Sequence, residues 1–246
     1  QLYDWMTGQV SAMYFQAYNM AFRLAKQAES AMRIELGLEE NTEHIIKTSY
    51  WDSLKKGLLS GDLLYQDIKR LETAYLEQNT RELELTKHIS LNQLNPLELL
   101  RLREFGTCKF TIPEELFDLD FPGHFMRRIR AVSISVPCIS GPYTSINATL
   151  KLTKNECRRK PNLADPLLQQ NVPVSAIATS SAQNDAGLFE LNFRDERYLP
   201  FEGAGAISEW ELEMMTVPSL RQFDYSSIAD VVVHLRYTAR EGMDKA

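Results

Sequence analysis

The chain has 246 residues, enough to bury a sizeable core as one large domain or two modest ones. Hydrophobic residues at 44% and charged residues at 24% are ordinary for a globular protein, and a net charge of −6 argues against nucleic acid as a partner, because phosphate contacts need a basic surface. Cys108, Cys138 and Cys157 are an odd number without metal-like spacing, so neither a disulfide framework nor a zinc site is indicated. Gln1 opens directly into a helical pattern, with no signal peptide and no initiating Met, which reads as a fragment of something longer. No stretch approaches the ~20 apolar residues that a spanning helix needs.

Met6, Val10, Met13, Ala17, Met20, Leu24, Ala31, Ile34 and Leu38 recur at alternating steps of four and three, with Gln27 the one break. That is a heptad seam, and it predicts a helix from about Tyr3 to Leu36, roughly 50 Å long, packed on a neighbouring helix. Ala12, Ala21, Ala25 and Ala28 lie off the seam and leave room for a second neighbour. Gly37 supplies a C-cap. A second helix is expected from about Asp52 to Lys87, with Leu54, Leu58, Tyr65, Ile68, Leu71 and Tyr75 as its apolar stripe. The two helices are expected to form an antiparallel hairpin. A short third helix has Asn95 as cap, Pro96 at its first position, Glu98 where a capping box wants it, and Gly106 as its stop.

After Gly106 the apolar period changes to two. Val132, Ile134 and Val136 alternate with serines, and Gly141-Pro142 marks a turn. Ile146, Ala148, Leu150 and Leu152 form a second run, and Val231, Val233, Leu235 and Tyr237 a later one. Phe189, Leu191 and Phe193 alternate with Glu190 and Asn192, while Trp210, Leu212 and Met214 alternate with Glu209, Glu211 and Glu213. Between those two, Pro200, Gly203 and Gly205 break regular pairing. Several strands with no intervening helix predict an antiparallel β-sandwich over 107–246, after a helical segment over 1–106, hence an α+β chain. The Pro-, Asn- and Gln-rich stretch Asn155–Val172 reads as a long surface loop.

Chemistry is sparse. His44, His88, His124 and His234 are far apart in sequence and show no ligand spacing, so a metal site would have to be assembled by tertiary structure alone. Asp118 and Asp120 lack an EF-hand setting and read as a polar corner. Glu209, Glu211 and Glu213 share a strand face; glycosidase carboxylates need a cleft, so a solvated outer face is the better reading. Gly203 and Gly205 precede a strand rather than a helix and make no phosphate loop, and no nucleophile elbow is present. Arg127, Arg128 and Arg130 fit a guarded strand edge better than an anion site. No catalytic constellation, cofactor motif or metal site is expected.

Four collinear runs resemble the C-terminal part of the A subunit of insecticidal Tc toxin complexes. They are Tyr75–Lys87, Pro122–Ile129, Phe189–Met214 and Ile228–Gly242. The resemblance implies upper channel helices over 1–106 and a B-subunit-binding domain over 107–246. It further implies a homopentameric translocation channel, secretion, and action at a host cell membrane, with the membrane-inserting part elsewhere in the parent chain. Docking of the B subunit is expected at loops or a rim, with Arg158, Arg159 and Lys160 as a steering cluster and the Tyr198–Gly205 connector, including Glu202, as the second candidate. The rival readings are a carbohydrate-binding sandwich on a stalk, with Tyr143, Tyr198 and Trp210 as its aromatics, and a hydrolase, for which no nucleophile–base pair is visible.

Overall fold

The computed structural model describes residues 2–38, 42–52, 57–139, 145–162, 164, 166–169, 176–182, 188–190 and 201–242; for 2, 145, 177–182 and 188–190 the backbone alone is described. The chain divides into two compact units, Gln1–Thr80 and Arg81–Ala246. The division falls well ahead of Gly106, where the change of apolar period had placed it.

In the first unit, α1 (Leu2–Leu36) and α2 (Ser60–Gln78) carry the regular structure. The face of α1 that packs within the unit is Tyr18, Phe22, Ala25, Glu29, Met32 and Leu36. This stripe also steps by four and three, but it lies two residues out of phase with the predicted seam, on the opposite side of the helix. Its one charge is explained by its partners. Glu29 Oε1 accepts from the Ile45 and Ile46 amides at 2.5 and 3.2 Å, and its Oε2 accepts from Lys26 Nζ at 3.1 Å. The carboxylate thus pins the connecting segment to the helix. Tyr50 then donates to Asp67 and accepts from the Lys47 amide at 2.8 Å, and Trp51 packs against Phe15 and Tyr18, with ring centroids 4.7 and 5.1 Å away.

These contacts overturn the antiparallel hairpin. The Tyr14 hydroxyl accepts from the Gly61 amide at 3.0 Å, near the start of α2, while Tyr75 donates to Glu35 at 2.9 Å, near the ends of both helices. Tyr18 clusters with Leu64, and Met32 and Leu36 with Leu71, so the two helices run in the same direction. The described part of the connection is what runs backwards along α1. From Ile46 beside Lys26 to Trp51 beside Phe15 the chain steps back past about eleven helical residues, a rise of roughly 16 Å that five residues are long enough to span. The second helix is also shorter than expected. It begins only after Gly57 and Leu59, at φ 73° and 63°, and Gly57 lies against the Trp51 ring with no room for a Cβ. It ends at Gln78, and the expected last turns, up to Lys87, lie instead in a strand, Leu83–Ser90.

The second unit contains two antiparallel sheets. One has the order β1 (Leu83–Ser90), β9 (Val232–Arg240), β3 (Phe125–Pro137), β7 (Leu188–Glu190). The other has the order β2 (Thr107–Ile112), β8 (Ile207–Met214), β4 (Ser145–Cys157), β5 (Leu168–Gln169), with β6 (Ala176–Ala182) also on β4. The stretch Asn155–Val172 is therefore only partly a loop, since its first three residues finish β4 and Leu168–Gln169 pairs back onto that strand.

Alternation decides which side chains go inside. Val132, Ile134, Val136, Val233, Leu235 and Tyr237 from the first sheet share one buried cluster with Ile146, Leu150, Leu152, Trp210, Leu212 and Met214 from the second. Three short helices, α3 (Leu91–Leu94), α4 (Pro96–Phe105) and α5 (Glu114–Asp118), add Leu91, Leu99, Leu102 and Phe117 to that core. The signals for α4 hold. Asn95 Oδ1 accepts from the Glu98 amide at 3.4 Å, Pro96 opens the helix, and Gly106 closes it at φ 80°. Glu98 itself turns outward from the capping box and accepts from the Lys109 amide at 2.8 Å, tying the helix to β2. No described helix is long and apolar enough to cross a membrane.

Candidate partner-docking surface

The outer face of the second sheet carries Glu209, Glu211 and Glu213, flanked in register by Lys109 on β2 and Lys151 on β4. Lys109 stands 3.4 Å from Glu211 and Lys151 stands 3.0 Å from Glu213. Glu211 and Glu213 are thereby tied to lysines rather than set opposite each other as an acid–base couple. Asp118 and Asp120 serve as anchors, the first on Arg127 and the second on Lys87, each at 2.5 Å. Among the described residues no group of three or more His, Cys, Asp or Glu is placed to hold a metal ion. Cys108 and Cys157 are buried, and that burial pushes both thiols up to about 12, so neither presents a thiolate near neutral pH.

Charge concentrates instead at the first half of β3. Arg127, with a side chain only 3% exposed, lies 2.5 Å from Asp118 and 3.6 Å from Glu114. Arg128 binds Glu82 at 2.5 Å, and Arg130 pairs with Glu202. None of the three guards an open edge, because this half of β3 pairs with β9 on one side and is hydrogen-bonded to residues 203–206 on the other. Glu82 also takes Arg240 at 3.0 Å, so one carboxylate joins β3 to β9. Burial works to raise the Glu82 pKa, but a hydrogen bond from Thr238 and the charges of Arg128 and Arg240 win, and it lies below its ordinary value.

Two loops expected to meet a partner are both stitched to this stretch. The Met126 amide, at φ 53°, donates to Arg158 O at 2.8 Å. Three residues on, Gly203 N donates to Ile129 O at 2.8 Å and Ile129 N to Ala204 O at 2.7 Å. The second connection reaches the other sheet too, since the Gly205 amide donates to Asn155 Oδ1 on β4 at 3.0 Å. Gly205 touches the Glu156 backbone so closely that a Cβ would overlap its carbonyl, which is why glycine stands there. Phe201, Ala204 and Ala206 are buried, leaving Glu202 and Gly203 as the exposed tip.

The expected docking residues therefore separate. Arg158 forms a forked pair with Glu114, its Nε at 2.9 Å from Oε1 and its Nη2 at 2.7 Å from Oε2, and so has a structural task. Arg159 is half-buried, Lys160 and Glu202 are exposed, and Tyr198 lies outside the described residues. What sequence reading missed is the acidic side of the network. Glu82 stands just before β1 while Glu114 and Asp118 are the two ends of α5, and nothing in the sequence joins those two segments to β3. The glycan-platform reading loses its main aromatic, because Trp210 is 1% exposed and its indole N–H donates to Ser208 at 2.7 Å; Tyr143 lies outside the described residues. Within the helical unit the predicted seam is not the packed face of α1. Ala17 and Ala31 are exposed, and so are Met6, Val10, Met13, Met20, Leu24 and Ile34, from 50% at Met6 to 67% at Met20, so no described helix covers them.

A sealed two-sheet core with ion-paired rims, together with a helical unit that leaves an apolar stripe bare, defines a module built for interaction. The family described as the Tc toxin complex TcA C-terminal TcB-binding domain matches residues 1–239, and the chain belongs to it. It is 36% identical over 259 residues to the toxin subunit YenA2 of Yersinia entomophaga, an alignment covering 98% of this chain and 18% of YenA2. The cryo-EM structure of Yersinia pseudotuberculosis TcaA-TcaB matches 98% of this chain and 14% of that one, with a TM-score of 0.73 at 27% identity. Morganella morganii TcdA4 shares the fold over 97% of this chain and 11% of its own, with a TM-score of 0.72 at 23% identity. The chain thus spans less than a fifth of the relatives it matches, and the resemblance to Tc toxin A subunits and the α+β class read from the sequence both hold.

Proposed function

We propose that this chain is the B-subunit-docking end of a Tc toxin A subunit, a non-enzymatic component through which a toxic polypeptide is handed into a translocation channel. The observation that carries the reading is the family match across both units, residues 1–239. The two sheets act as a β-sandwich that buries its alternating faces and meets the B subunit with its rim. Lys160 and Glu202, the exposed members of the two loops tied to β3, are the docking contacts of choice. The helical unit belongs to the channel wall. Its bare stripe from Met6 to Ile34 is the face that meets helices of other protomers in a homopentamer, since α2 covers only the opposite side. The parent protein is secreted and works at a host cell membrane through regions beyond this chain.

The test is direct association of the full chain with the cognate B subunit, comparing wild type, Lys160→Glu, Glu202→Lys and the double variant. Saturable binding by wild type, with slower association and an altered salt dependence in the variants, supports docking at these loops. Saturable binding that all variants retain unchanged moves the contact elsewhere on the rim. Absence of binding by a folded wild-type chain contradicts the reading.

A further inference from the structure

We propose that His88 and His234 form a two-histidine chelate for a borderline divalent transition cation of the zinc, nickel or copper class, on the outer face of the first sheet. The two residues are directly paired across β1 and β9, and their Nδ1 atoms approach to 2.6 Å. The rings meet edge-on, with centroids 4.8 Å apart and planes at 75°. Two imidazole lone pairs cannot face each other at that distance without a cation between them. In the metal-free protein a hydrogen on one of the two nitrogens takes that place, as in an ordinary N–H···N hydrogen bond.

The third partner accommodates the tautomer that a metal needs, since a serine hydroxyl accepts as well as donates. Ser135 Oγ lies 2.7 Å from His234 Nε2, and Ser135 is only 5% exposed, so it is held by the sheet rather than by solvent. With His234 Nε2–H donating to Ser135, His234 Nδ1 carries the lone pair and accepts from His88 Nδ1–H. A metal-ligating histidine is ordinarily oriented in this way, one nitrogen on the ion and the other N–H on a fixed acceptor. Metal entry needs the His88 proton to move from Nδ1 to Nε2, which faces solvent because His88 is exposed. The two Nδ1 atoms then part to roughly 3.3 Å, the separation set by ~2.0–2.1 Å metal–nitrogen bonds at a tetrahedral angle. Rotation of the exposed His88 side chain supplies that movement, and water completes the coordination sphere.

The setting suits imidazole-loving ions and disfavours calcium and magnesium, which want oxygen. Nearby on the same face, Glu84 lies 3.3 Å from Arg236, so that guanidinium's charge is offset by an adjacent carboxylate. Widely spaced in sequence, His88 and His234 become neighbours because the first and last strands of the unit pair. An ion there would clip the end of the chain to the strand that opens the domain.

Titration calorimetry of the full chain with NiCl2, ZnCl2 and CuSO4, with MgCl2 as control, tests this. One saturable site is expected for the first three salts and none for magnesium. His88→Gln and His234→Gln should each weaken binding by at least about tenfold, and Ser135→Ala by about tenfold, the scale on which an orienting partner matters. His44→Gln, away from the pair, should bind as wild type. Copper EPR should report two equatorial nitrogens in wild type and one in His88→Gln. Undiminished binding by His88→Gln, or no saturable binding at millimolar metal by the folded wild type, overturns the proposal.

Discussion

At Glu82 a single carboxylate holds guanidinium groups from two strands, Arg128 on β3 and Arg240 on β9, with side chains 12% exposed on both arginines and 19% on the acid. Removing the acid leaves two desolvated cations facing each other, so the loss exceeds that of a surface pair. Because the folded-state pKa of Glu82 is lowered, its contribution is complete above the ordinary carboxylate range near ~4.3 and fades as pH falls through the folded value. Glu82→Gln is expected to cost about 1–3 kcal/mol at neutral pH, and chemical denaturation at pH 7 and pH 3 should show the gap to wild type closing on the acid side. Glycine substitution separates two kinds of site in the same way. Gly205→Ala drives a methyl into the Glu156 backbone and is expected to cost about 3 kcal/mol. Gly8→Ala, in open space on α1, should be neutral or stabilise by up to ~1 kcal/mol. Equal effects from the two substitutions would mean that the Gly205 stitch between the sheets is not as tight as described.

The first helix has two apolar stripes with the same four–three rhythm, one on each side. Periodicity reported the bare one, because Met, Leu, Val and Ile are recognised as seam residues. It passed over the packed one, whose members include Tyr18, Ala25 and the charged Glu29. Only the partners of Glu29, the amides of Ile45 and Ile46, reveal why that stripe is interior, and these lie outside any helical pattern. The direction of α2 was hidden for the same reason, as a returning segment has no period to read. By contrast the strands were legible wherever alternation was strict. β1 was lost because Leu83, Leu85 and Ile89 alternate inside a stretch whose Glu and Arg content also suits a helix. Substituting the two stripes should separate their roles. Tyr18→Ala, in the packed stripe, is expected to cost about 3 kcal/mol in the helical unit. Met13→Glu and Leu24→Glu should leave the isolated chain's stability within about 0.5 kcal/mol while weakening self-association of the parent A subunit, read by sedimentation. Full assembly of the doubly charged variant would remove the bare stripe from the protomer interface.

For the whole molecule, the two units differ in how much they bury. The sheet unit has one large cluster drawn from both sheets and three short helices, while the helical unit relies on two small ones. Heating should therefore give two steps, with the helical signal lost first and only that step shifted by Tyr18→Ala; a single cooperative transition would contradict the division at Thr80. Composition and period conveyed that helices precede strands. They did not convey the ion-pair network at β3, because its members are joined only by the fold. The central claim is that the sheet unit, and not the helices, receives the B subunit. Hydrogen–deuterium exchange of the chain with and without the B subunit addresses it most directly. Protection gained within residues 81–242, strongest around Lys160 and Glu202 and absent from α1 and α2, is the predicted result. Protection confined to Leu2–Gln78 would contradict it.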